Sequence, residues 1–140
     1  MTLEQLQERL NFIFYASDFK TRNDAKSYWT REFKQAKKIN NLQELKKWAL
    51  TNLEYLDDFS CEYIKQEVEQ ILNDIIYYAV KEVVDKLNKD FNNVSFKEDY
   101  HLNDEDTNNK YVITYNNTIV GSELVSYEFI KGYISCLLRA

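Results

Sequence analysis

Between Ile64 and Leu87 an apolar residue returns at every third or fourth position: Ile64, Val68, Ile71, Ile75, Ala79, Val83, Leu87. That spacing predicts one long helix, about Cys61 to Asn88. On a helix of about 3.6 residues per turn, each step of four carries the stripe about 40° around the cylinder. The seam therefore winds, and its two ends must meet different neighbours. A second row, Leu72, Ile76, Val80 and Val84, widens the far end. Such a helix is the central beam of whatever fold surrounds it.

The residues before the beam predict three shorter helices. Thr2 and Gln5 form a capping box ahead of Leu3, Leu6, Leu10 and Ile13, so helix one should run from about Leu3 to Ala16. Helix two should span about Asp24 to Lys38, capped by Asn23. Ala25, Tyr28, Trp29, Phe33, Ala36 and Ile39 fill its inner arc, and Lys26, Arg31, Lys34, Lys37 and Lys38 its outer one. Asn41 followed by Glu44 is a further cap signal. It opens helix three, about Leu42 to Leu56, with Leu42, Leu45, Ala49, Leu53 and Leu56 inward. Ser60 is the expected cap of the beam itself.

After Asn88 the texture changes. Val94–Lys97 alternates, Tyr111–Tyr115 is β-branched and aromatic, and Thr118–Val120 follows the pair Asn116-Asn117. Asn tolerates positive φ, so this pair fits a two-residue hairpin turn. Ser122 and Glu123 read as a helix start, with Leu124, Tyr127, Ile130, Ile134 and Leu137 repeating behind them. Gly132 lowers the propensity of that last helix by about 1 kcal/mol, and a strand over Phe129 to Leu138 is the rival reading. The expected fold class is α+β: N-terminal helices packed on a long central helix, then a small three-stranded antiparallel sheet and a C-terminal helix. The expected organisation is one domain over residues 1–140, with a helical part to 59, the central helix over 60–89 and a βββα part from 90.

Composition excludes several chemistries. The chain of 140 residues has two glycines, Gly121 and Gly132, and no proline. Neither a P-loop nor a dinucleotide fingerprint can be built from them, because both need backbone amides laid bare against phosphate. The Gly-x-Ser-x-Gly elbow is absent too. Cys61 and Cys136 stand far apart and make no CxxC pair. Cys61 falls at the start of the beam, where a helix dipole favours thiolate, but no His neighbours it as a base. His101, the one histidine, lies among Glu98, Asp99, Asp104, Glu105 and Asp106. That loop lacks the spacing and central Gly of an EF-hand. Glu44-Leu45-Lys46 has the nuclease-like Glu-x-Lys spacing but lies within helix three. The expectation is therefore no catalytic residue, no metal site and no cofactor: a protein that is not an enzyme.

Charge is distributed unevenly. Residues 1–50 carry 10 basic and 6 acidic residues, and residues 51–140 carry 8 and 17, within an overall net charge of −5. Two surfaces follow. The outer arc of helix two (Lys26, Arg31, Lys34, Lys37, Lys38) could neutralise nucleic-acid phosphates or an acidic partner. The acidic loop (Glu98, Asp99, Asp104, Glu105, Asp106) suits a basic protein surface. The αβββα order from the beam onward is also that of double-stranded-RNA-binding domains. Their last helix opens on a basic cluster, however, and here it opens Ser122-Glu123-Leu124-Val125, so duplex RNA is set aside. Helices two and three are too long, and their turn lacks Gly, for a helix-turn-helix.

No stretch approaches the roughly 18 apolar residues of a membrane span, and the opening residues have no basic-then-apolar leader pattern. A reducing cytoplasm is the expected compartment. Fourteen Asn, with abundant Lys, Ile and Tyr, suggest an AT-rich genome such as a low-GC bacterium, a phage or a mobile element. The functional expectation is a non-enzymatic, acidic accessory or inhibitor protein that binds another protein. It would block a nucleic-acid-handling host enzyme in the manner of an anti-CRISPR. The alternatives are nucleic-acid binding through helix two and a toxin-immunity role. The exposed tyrosines of such a chain could also build a homodimer surface.

Overall fold

The computed structural model describes residues 1–16, 23–59, 62–98 and 111–139. Among them it has five α-helices and one antiparallel sheet of three strands, the α+β class expected. In chain order these are α1 (Leu3–Ala16), α2 (Asn23–Lys38), α3 (Leu42–Asn52), α4 (Glu62–Asp90), β1 (Val94–Glu98), β2 (Tyr111–Tyr115), β3 (Thr118–Ser122) and α5 (Tyr127–Arg139). The chain packs as two compact units, Met1–Ala79 and Val80–Ala140, divided within α4.

In the first unit the local signals act as the residues dictate. The Thr2 amide donates to Gln5 Oε1 at 2.9 Å, and the Gln5 amide donates to Thr2 Oγ1 at 3.2 Å, a closed capping box. The Glu44 amide donates to Asn41 Oδ1 at 2.8 Å and starts α3. Leu6, Leu10, Ile13, Trp29, Phe33, Ala36, Leu42, Leu45 and Ala49 are buried, as their spacing requires. Gln7 closes the other end of α2. Its Nε2 donates to the carbonyls of Ala36 at 2.9 Å and Ile39 at 2.7 Å, groups left without helical partners. Gln43 Nε2 likewise donates to the Ala79 carbonyl at 2.8 Å.

Helix three ends sooner than periodicity predicts. It stops at Asn52, and Leu53–Asp58 tightens into a 3₁₀ segment. The reason is tertiary. The Asn52 side chain is buried, donates to the Trp48 carbonyl at 2.9 Å and accepts from Tyr28 Oη at 2.7 Å. Around it Tyr28, Trp29, Phe33, Trp48, Tyr55 and Phe59 form a connected aromatic cluster. Burial, then the negative charge of Glu32, Tyr55 and Asp58, pushes the Tyr28 phenol up to about 12.

Every position of both rows on α4 is buried, from Ile64 to Leu87. The expected cap Ser60 and its neighbour Cys61 lie outside the described residues. In the second unit Asn88, in the last turn of the beam, clamps the first strand: its Nδ2 donates to the Val94 carbonyl at 2.8 Å, and its Oδ1 accepts from the Val94 amide at 3.0 Å. The sheet order is β1-β2-β3. Asn116 and Asn117 both take positive φ, 48° and 67°, the geometry a two-residue hairpin turn needs. The β2–β3 register shifts once, between Ile113 and Thr114, where Val120 is the extra residue.

The last helix corrects the sequence reading. Gly121 and Ser122 belong to β3, paired with Ile113 and Val112, so Ser122 is not a helix cap. Ser122 instead forms a turn, its Oγ accepting from the Leu124 amide at 3.3 Å. Helix α5 begins after Ser126, whose Oγ accepts from the Phe129 amide at 3.2 Å. Glu123 is buried, and Leu124 and Leu137, placed inward by spacing, are exposed.

Candidate functional site

Helix α5 is held to its unit by a few contacts along one side. Ile130 and Ile134 are buried. Ile130 lies over Gly121 so closely that a Cβ there would stand 2.8 Å from its Cγ1 and Cδ1. In the first turn Tyr127 Oη donates to Asp90 Oδ2 at 3.1 Å, and Lys131 Nζ pairs with the same oxygen at 3.4 Å. The charge of Asp90, then of Tyr127, raises the Lys131 ammonium above its ordinary range. Lys86 Nζ sits 4.1 Å from the centre of the Tyr127 ring. The helix is thus oriented by an ion pair, a phenol and two isoleucines.

That orientation leaves an apolar arc outside. Phe129, Tyr133 and Leu137 follow one another at steps of four and are 62%, 42% and 40% exposed. Cys136 and Gly132 lie beside them, also exposed, and Gly132 has open space where a side chain would begin. By helical geometry these five residues share an arc of roughly 140° adjoining the buried one. Single exposed apolar residues are ordinary on a protein surface; here they stand in a contiguous row on one helix. The sequence did carry this signal. The apolar arc of residues 129–138 is wider than a helix needs to cover one side of a small sheet, and Phe129 lay outside the single inward row assigned to it.

The basic surface expected on helix two is partly assembled. Arg31, Lys34 and Lys38 are exposed within roughly 60° of one another on α2, and Lys37 is exposed beside them. The Arg31 guanidinium lies 5.6 Å from the Tyr28 ring centre. The flank nearer the core is not basic: Glu32 there accepts from Trp48 Nε1 at 3.0 Å. The Lys26 side chain lies outside the described ones. Of the acidic group only Glu98 is described, exposed at the end of β1; Asp99, Asp104, Glu105 and Asp106 lie outside the described residues, as does His101.

Among the described residues no three His, Cys, Asp or Glu side chains converge as a metal site would require, and no helix is long and apolar enough to cross a membrane. Compared with known protein families, curated proteins and solved structures, the chain matches none of them.

Proposed function

We propose that this chain works by binding another protein rather than by catalysis, and that the outer arc of α5 is the surface it uses. The observation that supports this is the exposed row Phe129–Tyr133–Leu137 on a helix whose opposite attachments are already satisfied. Aromatic residues are enriched in interface cores, since they bring area with few rotatable bonds. The inhibitory and immunity roles expected from composition are finer forms of the same reading, differing only in which protein is held. The test is release. A protein held by the wild-type chain should be lost on Phe129→Asp with Leu137→Asp, in a variant whose circular dichroism is unchanged. Capture that survives the double substitution would place binding elsewhere.

A second reading, nucleic-acid binding, draws support from the exposed ridge Arg31, Lys34 and Lys38. It requires binding that weakens steeply with salt and is lost on Lys34→Glu with Lys38→Glu. A gel shift at low and high salt decides it: no shift at low salt removes this reading.

A further inference from the structure

The outer arc of α2 is unlike the other charged faces of the chain. Arg31, Lys34, Lys37 and Lys38 are exposed on it, with Gln35 and a half-buried Thr30 between them. By helical geometry these six fall within roughly 160°, and no acid stands among them. Arg31, Lys34 and Lys38 make no ion pair with any described residue, whereas Arg9, Lys47, Lys65, Lys81 and Lys131 each have a carboxylate partner. Arg31 and Lys34 stand three residues apart, and Lys34 and Lys38 four, spacings at which like charges repel and weaken a helix. The helix dipole relieves Lys37 and Lys38, which lie in the last turn, but not Arg31. The chain bears that repulsion although it has 23 acidic residues with which to relieve it. The arc also lacks what a protein partner needs. None of the exposed large apolar side chains among the described residues lies on α2, and a protein interface draws its affinity from a few buried anchors. Nucleic-acid interfaces are instead polar and strongly positive.

We infer, on the reading of this ridge as a nucleic-acid surface, that it takes the phosphate backbone alone and is blind to base sequence. Three of its four cations are lysines, which meet phosphate as point charges on flexible stems and lack the rigid fork of arginine. The one arginine is drawn to the Tyr28 ring, its guanidinium carbon 5.6 Å from the ring centre. From Arg31 to Lys38 the row runs roughly 10 Å along the helix axis, enough for a few phosphates. Contacts of this kind hold a protein on nucleic acid and carry no sequence information. Four neutralised phosphates give the logarithm of the binding constant a slope of about −3.6 against the logarithm of salt concentration. Binding should therefore fall roughly a hundredfold between about 50 and 200 mM salt.

Fluorescence anisotropy of the full chain with two labelled DNA duplexes of equal length, one rich in A·T and one in G·C, tests it. Both should bind equally and lose affinity with salt along the same slope. Lys34→Gln with Lys38→Gln removes two charges at little cost in helix propensity and should flatten that slope by about 2. Equal binding together with the flattened slope supports the backbone mode. A preference of roughly tenfold or more for one duplex, about 1.4 kcal/mol, overturns it while leaving the ridge a nucleic-acid surface. Polyglutamate that displaces the duplex as effectively as unlabelled duplex does, charge for charge, assigns the ridge to an acidic protein and overturns it as well. A slope untouched by the double substitution puts the contact elsewhere. That result, or no binding at the lowest salt, overturns both the inference and the reading it rests on.

Discussion

Replacing Gly121 by alanine tests how α5 is seated. The added Cβ would stand 2.8 Å from both Cγ1 and Cδ1 of Ile130, whose side chain is wholly buried. Carbon atoms rest at about 3.5–4.0 Å, so Ile130 or the helix must give by roughly 0.7 Å or more. Cγ1 lies near the root of the side chain, so it cannot swing clear as a chain end could. Overpacking of this kind costs about 1–3 kcal/mol, offset by about 0.4–1 kcal/mol from the lower entropy of the unfolded alanine chain. Gly121→Ala should therefore destabilise by about 1–2 kcal/mol. The same change made beside Ile130→Ala meets neither atom. Ile130→Ala alone should cost about 2–5 kcal/mol, and adding Gly121→Ala to it should return about 0.5 kcal/mol instead of costing more. Urea unfolding followed by far-UV circular dichroism gives the four free energies. Hydrogen exchange at the β2 amides places the effect in the second unit. Equal cost of Gly121→Ala in both backgrounds would refute close seating of the helix on β3.

Further outcomes follow from single groups. Tyr28 has its phenol raised to about 12 from the ordinary 10 of a tyrosine. The stability this neutral phenol contributes is whole below pH 10 and drains away as pH rises toward 12. Absorbance titration should show a tyrosine ionising late, and Tyr28→Phe should remove that step. That variant should also lose about 1–3 kcal/mol, by leaving the buried Asn52 Oδ1 without its donor. Asn116→Ala keeps a β-carbon at φ 48° but removes the short polar side chain that eases the left-handed region, and should cost about 1 kcal/mol in denaturant unfolding. Gly132→Ala, in open space, should raise stability in denaturant unfolding by about 1 kcal/mol.

The second candidate surface shows how far side-chain spacing reaches. Arg31, Lys34 and Lys38 were legible as an outer ridge because Trp29, Phe33 and Ala36 claim the opposite side of the same short helix. The α5 surface was half legible. Its apolar residues were plain in the sequence, yet periodicity ranks positions around a cylinder and does not say how much of the cylinder a neighbour covers. Leu137 fits an inward row as well as Ile134 does, and only the sheet beneath decides between them.

What the amino-acid order determined alone was local and short-range. The capping box of Thr2 and Gln5, the Asn41 cap and the paired positive-φ asparagines of the hairpin each lie within a few residues of their partners. The double seam of α4 needs only the helical repeat to be read. Tertiary structure decided where those tendencies yield. α3 tightens at Asn52, because a buried amide and a phenol from α2 meet there. The chain past the hairpin stays extended through Ser122, because the ladder to Val112 and Ile113 satisfies backbone groups that a helix would otherwise have claimed. The start of α5 thereby falls to Ser126, and with it the choice of which apolar residues are covered and which stay exposed.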